Sequence, residues 1–203
     1  MQRIAVTGAS GLIGTALVGK LKSDGYTVQR LVRRPTVSSE EIFWNPTNQE
    51  IDLDALAGVD AVIHLAGAGV GDKRWTKKYK SEILNSRLLG TTTIANAVAQ
   101  IKPEVFISSS AIGWYGETGN RAVIESDRGG DDFLAAVCRE WEAAADLAGK
   151  DLHDLTQGDL NAYAASKTLS DIRLAYKKGL PIDDIHASNL GLNKKGHIVA
   201  IDC

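Results

Sequence analysis

Three glycines at a three-residue spacing, Gly8-x-x-Gly11-x-x-Gly14, stand between an apolar run and an amphipathic segment near the start of the chain. Bare backbone at such a turn can come close to an anion that a side chain would hold off. Gly8 suits a tight turn, Gly11 permits close approach of a phosphate, and Gly14 lets a helix pack on the preceding strand. The first turn of that helix adds unpaired N–H groups and the positive end of its dipole. The pattern therefore reads as a cradle for a dinucleotide pyrophosphate. The strand before it and the helix after it make the reading much stronger than the glycines alone.

Three other groups could complete such a site. Arg33 follows Leu31-Val32, at the place where an acid would select the ribose 2′-hydroxyl of NAD and an arginine the 2′-phosphate of NADP. No acid ends this run, which favours NADP; two solvated loop arginines are the alternative. His64-Leu65-Ala66-Gly67 ends another apolar run, with small residues that let an adenosine pass close to the backbone. His64 itself reads as a satisfied core histidine. Ser108-Ser109-Ser110, followed by Trp114-Tyr115-Gly116, brings hydroxyls to a third run's end, where Ser110 and Tyr115 are candidates for proton transfer. Serines also favour strand exits for local reasons.

These groups need a scaffold that gathers segment ends. Runs at Arg3–Val6, Thr27–Val32, Asp60–Leu65 and Val105–Ser109 read as strands, and Glu40–Trp44 as a short edge strand. Leu12–Ser23, Trp75–Gln100 and Asp132–Ala148 read as helices, with a polar loop over Gly113–Asp131. Alternation of this kind predicts an α/β fold, a Rossmann-type doubly wound parallel sheet with right-handed crossovers. Gly8, Arg33, Gly67 and Ser110 would then meet beyond the carboxyl ends of the strands. Past residue 149 come a polar stretch, a helix over Leu160–Lys178 and a strand over His197–Ile201.

Composition limits the possibilities. At 203 residues, 44% of them hydrophobic and 24% charged, with a net charge of -2, the chain suits one sizeable soluble core. Without a basic excess, no nucleic acid or membrane surface is expected as a partner. No apolar run is long enough to cross a bilayer, and the first strand leads straight into the glycine turn, so no signal peptide is expected. Cys138 and Cys203 make no disulfide framework. A cytoplasmic protein with a small-molecule substrate is the expectation. An incomplete sheet edge would favour a homo-oligomer.

In order along the chain, Thr7-Gly8-Ala9-Ser10-Gly11-Leu12-Ile13-Gly14, Leu31-Val32-Arg33-Arg34-Pro35 and Val59 through Gly67 form a recognisable series. It continues with Lys73-Arg74-Trp75-Thr76, Ser86-Arg87, Ser108 through Gly116, Asp132-Phe133-Leu134 and Cys138-Arg139-x-Trp141-Glu142. Up to about residue 148 the series resembles atypical short-chain dehydrogenase/reductases of the epimerase family 39U-like, or sugar-nucleotide epimerase-like, type. The resemblance implies an NADP-binding domain. It also implies cofactor contacts from Gly8, Ser10, Gly11, Leu12, Ile13, Gly14, Arg33, Leu65, Ala66, Glu82 and Arg87. Glu82 and Arg87 lie five apart on a helix, so one face presents both only approximately.

The chain departs from the wider superfamily at two points. The Tyr-x-x-x-Lys pair of typical reductases is missing from the helix that should carry it, which reads Phe133-Leu134-Ala135-Ala136-Val137-Cys138. Tyr163-Ala-Ala-Ser-Lys167 matches literally but lies one whole helix too late, and a chance match is the expectation. Beyond residue 148 the resemblance ends, as in a chimeric, rearranged or truncated chain, so that 1–148 reads as the NADP-binding domain and 149–203 as a divergent segment that either completes the sheet or packs elsewhere. Asp184, Asn189 and Asp202 there faintly resemble a kinase-like catalytic loop. Three functions stay open: an NADP-dependent oxidoreductase or epimerase, a non-catalytic NADP-binding module, and a phosphotransferase.

Overall fold

The computed structural model describes residues 2–149 and the backbone of 191–192 and 198–199. Strands β1 (Arg3–Thr7), β2 (Thr27–Val32), β3 (Glu41–Asn45), β4 (Glu50–Ile51), β5 (Ala61–His64) and β6 (Val105–Ser108) form a six-stranded sheet in the order β4-β3-β2-β1-β5-β6. Every pairing is parallel except β3 with β4. The chain runs from β1 outward to β2 and β3, then crosses back to β5 on the other side. The point of reversal, between β1 and β5, is where such sheets open a ligand crevice. The fold is the expected doubly wound α/β sheet.

The period-two alternation of the strands divides the core into two layers. Ile4, Val6, Val28, Ala61 and Ile63 face α1 (Leu12–Ser23) and pack with Leu21. Ala5, Leu31, Ile42, Val62 and Trp44 face the other way, against Ile94, Ala97 and Val98 of α3 (Lys77–Ile101). A third cluster, Tyr79, Ile83 and Val137, joins α3 to α4 (Phe133–Ala145).

The helix limits follow their caps. Thr76 Oγ1 accepts the N–H of Tyr79 at 3.2 Å, so α3 starts after Trp75 rather than at it. Asp132 caps α4 through the N–H of Ala135 at 2.9 Å, and the last turn tightens into a 3₁₀ turn over Asp146–Gly149. The sheet corrects one expectation: Glu41–Asn45 is not its edge. Residues 50–51 pair antiparallel outside it, and Asp52 then caps the single turn α2 (Leu53–Leu56). A two-residue strand is too short to show a period.

Among the described residues no helix is long and apolar enough to cross a membrane. In the later segment, β7 (Gly191–Leu192) and β8 (Ile198–Val199) pair antiparallel with each other. The helix expected over 160–178, the Tyr163–Lys167 match, Asp184, Asn189, Asp202 and Cys203 lie outside the described residues.

Candidate functional site

The glycine turn sits at the reversal point, and its shape is set by the chain across from it. Gly8 has φ +65, and a Cβ there would lie 2.8 Å from the carbonyl carbon of Leu65 and 2.9 Å from the nitrogen of Ala66. Leu65 and Ala66 are thus the opposite wall of the crevice. A Cβ on Gly14 would meet the Gly8 oxygen at 2.2 Å, whereas one on Gly11 would press on it only lightly, at 3.3 Å. The N–H of Gly11 donates to the Gly8 carbonyl at 2.9 Å. Gly11 is also the N-cap of α1, and no side chain caps that end. Ser10, Gly11 and Leu12 are exposed around it, Leu12 at 92%, and Ile13 is half-buried. An uncapped helix start lined by bare backbone fits an anion such as a diphosphate.

A buried polar chain fixes the two strands flanking the crevice. Thr7 Oγ1 accepts the N–H of Leu65 at 3.0 Å and of Ala66 at 3.2 Å, and lies 2.7 Å from Nδ1 of His64. Nε2 of His64 lies 3.0 Å from Thr91 Oγ1 on α3. Burial pushes the imidazole down to about 3, so it is neutral at physiological pH. The histidine is structural, as its apolar setting in the sequence suggested.

Beyond β2 the two neighbouring arginines have different fates. Arg34 forks onto Glu41, with Nη1 and Nη2 at 2.8 and 2.6 Å from the two carboxylate oxygens. Arg30 adds a third contact at 3.1 Å, and the N–H of Val37 a fourth at 3.0 Å. These partners, Arg34 first, hold the carboxyl of Glu41 down to about 2. Arg33 is exposed and makes no ion pair or hydrogen bond among the described residues. It follows β2, one strand over from the glycine turn, with its guanidinium unengaged.

The three serines at the end of β6 diverge. Ser109 Oγ donates to the His64 carbonyl at 3.0 Å. Ser108 Oγ is buried without a partner among the described residues. Ser110 Oγ donates to Oε1 of Glu142 on α4. Burial carries the Glu142 carboxyl up to about 7, even though the Ser110 bond favours the ionised form. Past Ser110 a 3₁₀ turn, Ile112–Tyr115, buries Trp114 and half-buries Tyr115, whose phenol is raised by burial and by nearby acids. Cys138, with Sγ towards the Ala111 carbonyl, is pushed up to about 12 by burial and is no thiolate at neutral pH.

Glu82 and Arg87, expected at the cofactor, both engage the loop that leaves β5. Arg87 is buried, donates to the Ala68 carbonyl at 2.8 Å, and lies 4.9 Å from the centre of the Trp141 ring. Gly67 rests against its guanidinium. It braces the loop leaving β5. Glu82 is exposed and pairs with Lys73 of the same loop at 3.3 Å. Glu41 and Glu142 are the residues the sequence reading missed. Glu142's signal was a lone acid on the buried face of α4, between Trp141 and Ala144.

The model described as the NAD dependent epimerase/dehydratase family matches residues 4–176, reaching past residue 148. An epimerase family protein of Mycobacterium leprae is 43% identical over 141 residues, which are 70% of this chain and 46% of that protein. The crystal structure of the nucleoside-diphosphate sugar epimerase from Corynebacterium glutamicum superposes with a TM-score of 0.63 at 37% identity, over 73% of this chain and 31% of that one. The human epimerase family protein SDR39U1, solved with NADPH, gives 0.62 at 30% identity, over 74% of this chain and 50% of that one. The chain spans about half the length of the curated relatives it matches. On the family match and the fold together, the chain belongs to the NAD dependent epimerase/dehydratase family.

Proposed function

We propose that the crevice between β1 and β5 binds NADP and serves an oxidoreductase or epimerase-like reaction on a small carbonyl or sugar-like substrate. The observation that carries this reading is the pairing of a bare, uncapped glycine turn with an unpaired Arg33 one strand away. Gly8, Ser10, Gly11, Leu12, Ile13 and Gly14 would hold the diphosphate, Arg33 the 2′-phosphate, and Leu65 and Ala66 the adenosine side. NADPH in the similar human protein supports the choice of cofactor.

When bound, the nicotinamide supplies or accepts the hydride of a reversible carbonyl–alcohol conversion. Ser110, just past β6, orients and polarises the substrate oxygen, and Tyr115 or water relays the proton. Arg87 and Glu82 keep the β5 exit loop in place. Replacing Arg33 by Asp is expected to weaken NADPH binding far more than NADH binding in a calorimetric titration. Equal losses would remove the 2′-phosphate assignment.

A second reading, a non-catalytic NADP-binding module, is favoured by the start of α4, where Phe133 through Cys138 provide no Tyr-x-x-x-Lys pair. NADPH oxidation against a panel of carbonyl compounds separates the two. Turnover lost in Ser110→Ala supports the enzyme, and no turnover with any compound supports the binder. ATP with magnesium should not stabilise the fold in either case.

A further inference from the structure

The bond between Ser110 and Glu142 joins the end of β6 to α4, and the second carboxylate oxygen, Oε2, is buried with no hydrogen-bond partner among the described residues. An ionised carboxylate with one bare buried oxygen loses hydration that nothing replaces. Protonation removes that cost, which is why burial carries this group up to about 7 against the pull of the serine. Both charge states are then populated near neutrality. In the ionised state Ser110 donates to Glu142. In the protonated state Glu142 donates to Ser110 Oγ, and the hydroxyl proton is released to point into the crevice.

We propose that Glu142 is the proton-holding partner of Ser110, a positioning residue that acts through the serine where α4 lacks a tyrosine–lysine pair. The inference rests on the reading of the crevice as an NADP site. When a carbonyl is reduced, with the bound cofactor supplying the hydride, the Ser110 hydroxyl proton would move to the carbonyl oxygen. The Glu142 proton passes to Ser110 Oγ, leaving a carboxylate that regains its proton from water. Oxidation of the alcohol runs the same steps in reverse.

Several titratable and charged groups among the described residues bear on Glu142. Asp146, one turn on, raises it further. Cys138, one turn back, and Tyr115, from the 3₁₀ turn, are both raised by its charge. Arg87 of α3 lies over the neighbouring Trp141 ring.

The test uses the full chain and calorimetric titration with NADP⁺ and NADPH on both sides of the expected midpoint. The oxidised nicotinamide ring is positive and the reduced ring neutral, so an ionised Glu142 favours NADP⁺. Its Kd should fall about fivefold as pH rises through the midpoint, with protons released on binding, while that of NADPH moves little. Glu142→Gln should flatten the NADP⁺ profile, and Ser110→Ala should move its midpoint upward. A flat NADP⁺ profile in the unsubstituted protein, or a dependence that survives Glu142→Gln, overturns the proposal. Failure of both nucleotides to bind overturns the NADP reading instead. If Glu142→Gln does not fold, carboxyl-carbon NMR of glutamate-labelled protein reads the group directly. One glutamate titrating near 7 and shifting with NADP⁺ supports the proposal; none above the ordinary carboxylate range overturns it.

Discussion

Thr7 Oγ1 lies 2.7 Å from His64 Nδ1 while it accepts the backbone N–H groups of Leu65 and Ala66. Both lone pairs of the hydroxyl are occupied, so its proton goes to Nδ1. Nε2 therefore carries the ring proton and donates to Thr91 Oγ1 at 3.0 Å. One hydroxyl thus fixes a tautomer and ties the end of β1 to the exit of β5, the two walls of the crevice. Thr7→Val keeps the shape and strands three polar groups. We expect a loss on the order of 3 kcal/mol in urea unfolding, most of it recovered by Thr7→Ser. A valine variant as stable as the parent would show that the network carries no weight.

The same histidine sets an acid limit. Folded, it is held down to about 3; unfolded, it returns to its ordinary 6.5. Between these values the unfolded chain takes up a proton that the folded one refuses. Stability should therefore fall as pH drops below 6.5, approaching about 1.4 kcal/mol for each pH unit. Glu142 acts in the opposite sense. Its folded value is raised from 4.5 to about 7, so the folded state holds a proton that the unfolded state has released, and stability falls as pH rises through that window. The two slopes oppose each other where the windows overlap. Denaturation at a series of pH values should therefore show a shallow net slope in the parent and a steeper acid slope in Glu142→Gln. Identical slopes in the two proteins would contradict the assignment.

The glycines of the turn should separate folding from binding. Gly14→Ala drives a Cβ to 2.2 Å from a backbone oxygen and has no room to relax. A loss of about 2 to 3 kcal/mol is expected, with the Tm falling accordingly. Gly11→Ala meets the same oxygen at 3.3 Å, a tight contact that a small shift relieves, in an extended conformation that alanine accepts. It should lower the Tm far less than Gly14→Ala but cost about tenfold or more in NADPH affinity, because the methyl stands where a phosphate would approach. If both variants lose affinity only in proportion to stability, the turn is a packing device and not a cradle.

The sheet and its crevice were legible because period-two runs and glycine spacing are local signals. Gly8, Leu65 and Ser110 end three separate runs, and parallel pairing brings those ends to one edge. β4 was not legible, since two residues such as Glu50 and Ile51 define no period and pair through the turn that precedes them. The roles of Glu142 and Glu41 were hidden for another reason. Each is a single acid whose meaning comes from a distant partner, Ser110 on another element in one case and a fork of arginines in the other. Arg33 and Arg34 were indistinguishable as neighbours until Glu41 claimed one of them.

That division of labour is itself testable. Glu41 gathers Arg34, Arg30 and the N–H of Val37, closing the loop after β2 and leaving Arg33 as the unengaged guanidinium. Glu41→Gln cannot hold the fork as an ion pair, so the loop loosens and Arg33 is presented less sharply. NADPH affinity should fall several-fold while NADH affinity changes little, with Glu41→Asp falling between. The anchor also predicts a pH response. The carboxyl is held down to about 2 from 4.5, so its contribution is present above 4.5 and is lost only as pH falls towards 2. Any loss of discrimination between NADPH and NADH above pH 4.5 should therefore follow the 2′-phosphate's own titration at about 6 and not that of Glu41. Unchanged discrimination in Glu41→Gln would mean that Arg33 needs no such support, and that the fork serves the packing of β2 against β3 alone.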